Sequence, residues 1–389
     1  MYHNKIRKKR KFVFMMVTSL ASASVFQVNI LGAETPNDAI RVSQKIESMS
    51  IEEKVAQLFI VTPEALTDVD RVTMAGEQTR EAFYQYPVGG LVYFADNFLS
   101  EEQLTEMLDA VQQYSYEALQ IPVFTCVDEE GGTVTRISGK EIFDVPDIRS
   151  MKEVGEGGSE EAYKTGKEIG EYLNHFGFWV DFAPVADVAT NSDNTLIGSR
   201  AFGSEPDSVA ALVVAFMNGM HTQNVATTLK HFPGHGNTSE DSHYTSAVSY
   251  KTVEELEKCE FVPFRAGIRE GTEFIMVGHI SLPNVTGDSI PATLSYEIVT
   301  DILREKLGYD GIVVTDAMNM AAITNYYSSD EAAIKALQAG VDMILMPYDF
   351  KSAYQGVIDA ISNGKIAAER IDESVKRILQ LKYVMLDAK

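Results

Sequence analysis

The stretch Lys230-His231-Phe232-Pro233-Gly234-His235-Gly236, continued by Asn237-Thr238-Ser239-Glu240-Asp241-Ser242-His243, holds three of the chain's seven histidines. Imidazole is the side chain best suited to carrying a proton near neutral pH, and Asp241 is close enough in sequence to orient His243 through a ring nitrogen. That pair has the composition of a general acid/base. Gly234, Gly236 and Pro233 let the backbone ahead of it turn where ordinary side chains would clash. Asp316 closes the dry run Ile312-Val313-Val314-Thr315 and would project from a strand end, which favours a functional role over a helix cap. Asp128-Glu129-Glu130-Gly131-Gly132 with Arg136, Asp187 with the later Arg200, and His279 complete the set of residues with chemical potential. His175 and His221 fall at helix ends, where a cation complements the helix dipole, and read as structural.

These groups can act together only if one framework gathers them. Eight apolar runs recur along the chain, at residues 57–62, 90–95, 122–128, 179–185, 225–230, 274–279, 311–316 and 341–346. They are continuous rather than alternating, as strands of a parallel sheet are when both faces are covered. Helical patterns lie between them, at 159–176, 208–223, 252–270, 295–307 and 329–339, with a closing pair at 353–362 and 367–385. Ser100 with Gln103 opens a further helix, and Gly177, Gly271, Gly308 and Gly340 fall at helix ends. Alternating strands and helices predict an α/β fold, a single-domain (β/α)8 barrel over residues 34–389, with an open doubly wound sheet as the other arrangement of the same elements. In such a barrel the active site sits at the carboxyl ends of the strands, where polar residues follow five successive runs here. Lys230 and His231 are neighbours on an extended backbone, so their side chains should diverge, but both can line one rim if the strand ends there.

The formal charge is −23, which argues against nucleic acid as a partner because its phosphates would be repelled. Residues 1–33 carry six basic residues and no acidic one, and an apolar stretch follows the basic cluster up to Leu31-Gly32-Ala33. This predicts a signal peptide, or an uncleaved anchor, with the mature chain starting near Glu34 outside the cell or on its surface and with no stable membrane insertion once the leader is removed. Cys126 and Cys259 read as two free buried thiols.

A cluster of histidines also suits a metal-dependent hydrolase, but the helix-borne H-E-x-x-H arrangement is absent and His235 sits between two glycines. A non-catalytic carbohydrate-binding barrel would have no use for Asp316, Asp241 and His243 together. A glycosidase, with one carboxylate at the anomeric carbon and a proton donor at the leaving oxygen, accounts for more of the pattern. From about residue 49 to 381 the chain resembles the β-N-acetylhexosaminidases of glycoside hydrolase family 3. The resemblance rests on Val127-Asp128-Glu129-Glu130-Gly131-Gly132, Asp181-Phe182-Ala183-Pro184-Val185-Ala186-Asp187-Val188, Ile197-Gly198-Ser199-Arg200-Ala201-Phe202-Gly203, residues 230–236, Asp241-Ser242-His243 and Val314-Thr315-Asp316-Ala317-Met318.

What the resemblance implies is a retaining exo-β-N-acetylglucosaminidase with Asp316 as nucleophile, His243 as acid/base and Asp241 orienting it. Asp128, Arg136, Arg200, Lys230 and His231 would contact the sugar. No metal or other cofactor is implied. The expected partner is an N-acetylglucosamine-containing glycan or muropeptide, met by a monomer, with water or phosphate accepting the sugar. Asn237 stands where an aspartate is common in that family, and Ala247 where a proline is common. A β-glucosidase of the same family would take its acid from a second domain, for which residues 34–389 have no obvious room.

Overall fold

The computed structural model describes residues 36–238 and 247–388. The leader at 1–33, with Asp241 and His243, lies outside the described residues. All eight apolar runs contain a strand. They are β1 (Phe59–Val61), β2 (Gly90–Val92), β3 (Phe124–Val127), β4 (Val180–Asp181), β5 (Thr228–Phe232), β7 (Phe274–Val277), β9 (Ile312–Thr315) and β10 (Ile344–Leu345), all buried throughout. The remaining two, β6 (Ala247–Val248) and β8 (Ile280–Ser281), form a small parallel pair of their own. At two residues each they carry no periodicity that a sequence could reveal.

The framework is α/β and its strands run parallel. One sheet has the order β10-β1-β2-β3-β4 and a second the order β5-β7-β9. The two are not one continuous ladder among the described residues. Single bridges at Val180↔Ala226 and Val185↔Lys230 join β4 to β5, and Val314↔Met343 joins β9 to β10. The reasons are local. Pro184 follows β4 and has no N–H to give to a ladder. At the other seam the Leu345 amide donates to the Thr315 hydroxyl at 2.9 Å in place of a carbonyl.

Helices cover the strands where the apolar periodicity places them. Ser159–Phe176 ends at Gly177 and Ser329–Ala339 at Gly340, both glycines holding the left-handed conformation that stops a helix without a Cβ penalty. The helix expected at 252–270 is instead broken into Val253–Lys258 and Phe261–Glu270. Pro263 lacks the N–H an interior position needs and is tolerated only in a first turn, so a new helix must start just before it. Both cysteines are free thiols; Cys126 is buried as expected, whereas Cys259, at the break between two helices, is only partly buried. No described helix is long and apolar enough to cross a membrane.

One core residue is an ionisable group with no acidic partner. Lys382, on the helix Ala368–Ala388, is fully buried; its Nζ donates to Gln57 Oε1 at 2.7 Å and lies 5.0 Å from the centre of the Phe124 ring. Burial pulls its ammonium down to about 7, against a small opposing effect of Cys126. The unfolded chain then holds one more proton than the folded chain between about pH 7 and the ordinary lysine value near 10.4, so stability contributed by this group rises with pH across that window. Denaturant unfolding at pH 7, 8 and 9 should show wild type gaining on Lys382→Met by on the order of 1 kcal/mol per pH unit. Parallel pH curves for the two proteins would contradict a neutral buried amine.

Candidate active site

A cavity of about 560 Å³ opens at the carboxyl ends of the strands, and Asp128, Arg136, Arg200, Lys230, His231 and Asp316 all line it, together with Glu130 and His235. Six residues picked from the sequence thus share one wall-to-wall space. Lys230 and His231 both reach the same cavity, as neighbours can where a strand ends, and β5 ends at Phe232.

The cations are held by a buried carboxylate that was not singled out from the sequence. Glu130, 1% exposed, accepts from Arg200 Nε and Nη2 at 2.8 Å each and from Lys230 Nζ at 2.6 Å. The ammonium also donates to Asp128 Oδ1 at 2.7 Å. Burial pushes the Glu130 carboxyl up, but Arg200 and Lys230 outweigh it and keep it well below the ordinary carboxylate range. The same contacts hold Lys230 and Arg200 charged in spite of burial. Arg136 is held more loosely, its guanidinium 5.3 Å from the centre of the Phe94 ring and its Nη2 4.0 Å from Asp128 Oδ2, with a buried Nε that has no partner among the described residues. Its side chain lines the cavity.

His231 is oriented by Asp187, which is fully buried at the end of the fourth apolar run. Nδ1 lies 2.8 Å from Asp187 Oδ2, so Nδ1 carries the hydrogen and Nε2 turns toward Arg200 Nη2 at 3.5 Å. Asp187 Oδ1 also accepts the His235 amide at 2.6 Å. Burial raises the Asp187 carboxyl and the two histidines more than reverse this, leaving it below its ordinary range. The loop stays in place because Asn194 Nδ2 donates to the His235 carbonyl at 2.8 Å and Asn191 Nδ2 to that of Thr238 at 3.0 Å.

Asp316 sits just past β9. Its Oδ1 accepts the Ala317 amide at 2.7 Å, and the residue lines the cavity. Burial opposes its ionisation; His231, His279, the Ala317 amide and Lys230 together overcome this and hold it below the usual carboxylate range. His279 is fully buried, with Nδ1 2.8 Å from Thr293 Oγ1 and Nε2 donating to the Ala317 carbonyl at 3.0 Å, so it braces the residue beside Asp316 and does not line the cavity. His221 is structural as expected, bonded to Glu273 Oε2 at 3.1 Å.

Glu130, Asp187 and His235 stand within the motifs quoted from the sequence, but the sequence assigned none of them a role in the site. A signal for the first existed. Side chains alternate along an extended segment, so residues 128 and 130 share a face and 129 points away.

Fold and cavity together define an α/β protein with an ionised carboxylate and an array of cations at the mouth of a parallel-strand framework. The chain belongs to the glycosyl hydrolase family 3, N terminal domain, whose profile matches residues 50–381. It is 32% identical over 333 residues to Beta-hexosaminidase A of Pseudoalteromonas piscicida, covering 80% of this chain and 56% of that protein. It is 31% identical over 348 residues to Beta-hexosaminidase LpqI of Mycobacterium tuberculosis, covering 86% of this chain and 83% of that one. A solved glycoside hydrolase family 3 beta-N-acetylglucosaminidase from Paenibacillus sp. superposes with a TM-score of 0.81 at 35% identity, over 88% of this chain and 64% of that one. A beta-glucoside phosphorylase superposes with a TM-score of 0.79 at 25% identity, over 91% and 62% of the two chains. The chain thus spans little more than half the length of the Pseudoalteromonas relative.

The loop bearing His235 is fitted closely against the segment bearing Asp187. A Cβ added at Gly236 would lie 1.9 Å from the Val188 carbonyl oxygen, whereas one at Gly203 would meet nothing nearer than 4.0 Å. Gly236→Ala should therefore lower unfolding free energy by about 1–3 kcal/mol in denaturant titration, while Gly203→Ala stays near wild type. Equal effects would mean that the close approach does not constrain the loop.

Proposed function

We propose that this chain is a retaining exo-β-N-acetylglucosaminidase in which Asp316 is the nucleophile, His243 the acid/base and Asp241 the group that orients it. The observation that carries the reading is the place of Asp316, whose Oδ1 accepts the Ala317 amide, in a cavity whose other charged residues suit polyhydroxylated rather than apolar ligands. Membership of the family and the names of the relatives point the same way. Asp128, Arg136, Arg200, Lys230 and His231 would bind the sugar hydroxyls and acetamido group. The two parallel arcs, bridged at both seams, are read as one (β/α)8 barrel forming a single domain.

In the first step Asp316 Oδ2 forms a bond to C1 as the glycosidic C–O bond breaks, and protonated His243 gives its proton to the departing oxygen. In the second, neutral His243 takes a proton from water as the water oxygen attacks C1, and Asp316 leaves as carboxylate. A histidine that has given up its proton is neutral, so it adds no negative charge beside an anionic acceptor. The family likeness to a beta-glucoside phosphorylase gives the phosphate-accepting alternative a specific basis. The basic, apolar start of the sequence supports export, and N-acetylglucosamine-containing cell-wall fragments are then the substrate class within reach.

Trapping with a fluorinated N-acetylglucosaminide, peptide mapping, and release with and without phosphate test this in one series. The label is expected on Asp316, with release in water alone at a rate that phosphate leaves unchanged. Label on Asp128 or on no residue would overturn the assignment, and release only with phosphate would make the chain a phosphorylase.

A further inference from the structure

Glu129 is fully buried, touches no cation and does not line the cavity, yet its carboxylate receives four donors. Oε2 accepts the amides of Arg136 at 2.6 Å and Ile137 at 3.1 Å; Oε1 accepts the amide of Ser138 at 2.7 Å and the hydroxyl of Tyr172 at 2.9 Å. Three consecutive amides converging on one carboxylate fix the backbone of the turn at both ends of the Arg136 peptide unit. Tyr172 lies on the helix Ser159–Phe176, so the same carboxylate ties that turn to the outer layer. The Glu129 amide is itself held by Asp181 Oδ1 at 2.9 Å. Burial raises the carboxyl and the four donors oppose that shift.

The turn needs such a template because, among the described residues, its one functional side chain is held only by long contacts. Arg136 reaches Asp128 only at 4.0 Å, rests over Phe94, and has an unpartnered Nε. Its placement is therefore inherited from its backbone. Lys230 and Arg200, by contrast, are fixed through their own side chains by Glu130. We propose that Glu129 is a positioning residue for substrate binding: it sets the Arg136 guanidinium in the cavity by organising the amides of residues 136–138, and the Tyr172 hydroxyl completes its shell. The inference rests on the glycosidase reading for its consequence in binding, and on the hydrogen-bond geometry alone for its structural content.

Glu129→Gln puts an amide NH2 against N–H donors on one side of the carboxyl plane, whichever way it turns. With an aryl β-N-acetylglucosaminide, KM should rise about tenfold, the worth of roughly one charge-assisted hydrogen bond, while kcat changes little. In the Arg136→Ala background the same substitution should add nothing to KM, because its route of action is gone. Amide hydrogen exchange at residues 136–138 should be slow in the wild type and faster in Glu129→Gln. Tyr172→Phe removes one of the four donors and should move KM and exchange in the same direction by less, so it carries the test should Glu129→Gln fail to fold. Additive effects of Glu129→Gln and Arg136→Ala, or a fall in kcat with KM unchanged, would overturn the proposal, as would unaltered exchange in both variants. If the wild type turns over no such glycoside, the functional reading fails, and the exchange measurement still decides the role of Glu129.

Discussion

Glu130 is the interaction on which the site depends. A buried carboxylate between two cations is stable only if both stay, and two buried cations this close are tolerable only if the carboxylate stays; removing one member of such an arrangement costs about 3–5 kcal/mol. The three residues come from separate segments: Glu130 from the turn after β3, Arg200 from the turn Gly198–Arg200, and Lys230 from β5. The pairing therefore sets the distance between those segments and makes the cavity wall rigid. The turn itself is built for this, since Gly131 and Gly132 have φ of 89° and 61° and a Cβ on either would collide with residues 148–151.

A second charged cluster shows what separates a binding site from a structural one. Asp342, fully buried at the start of the tenth strand's segment, gathers Arg304, Arg377 at 3.1 Å and Arg370 at 3.7 Å, as well as the Ser374 hydroxyl at 2.7 Å. Its arginines also spend donors on carbonyls, Arg304 on Tyr309 at 3.0 Å and Arg370 on Val341 at 2.6 Å. Burial raises the Asp342 carboxyl and the arginines reverse it. That cluster closes on itself and pins the last helix. At the carboxyl ends of the strands the cations are paired just as firmly but each keeps a face toward open volume, and Arg136 keeps an unpaired donor.

The strands were legible because parallel strands are dry on both faces, and that pattern survives in sequence without any knowledge of neighbours. The seams were not, because they depend on which backbone groups meet across a gap, as with Pro184 and the Thr315 hydroxyl. Asp316, Asp128, Arg136, Arg200, Lys230 and His231 could be picked out by their position after apolar runs and their motifs, and the fold brings them to one cavity. Alternation along Asp128-Glu129-Glu130 separates residue 129 from the other two, but the sequence does not disclose that His231 is turned by Asp187 from another segment, since that is settled by packing. Lys230 and His231 share one rim because β5 ends just beyond them, the arrangement open to neighbours at a strand end.

The proposed sugar site depends on Glu130 holding Lys230 and Arg200 in place. Calorimetric titration of N-acetylglucosamine into wild type and Glu130→Gln tests this directly, with unfolding measured alongside to verify that both proteins are folded. Loss of the charge at Glu130 should weaken binding at least about tenfold, because Lys230 and Arg200 then repel each other and leave their positions. A folded Glu130→Gln protein that binds N-acetylglucosamine as tightly as wild type would contradict the account.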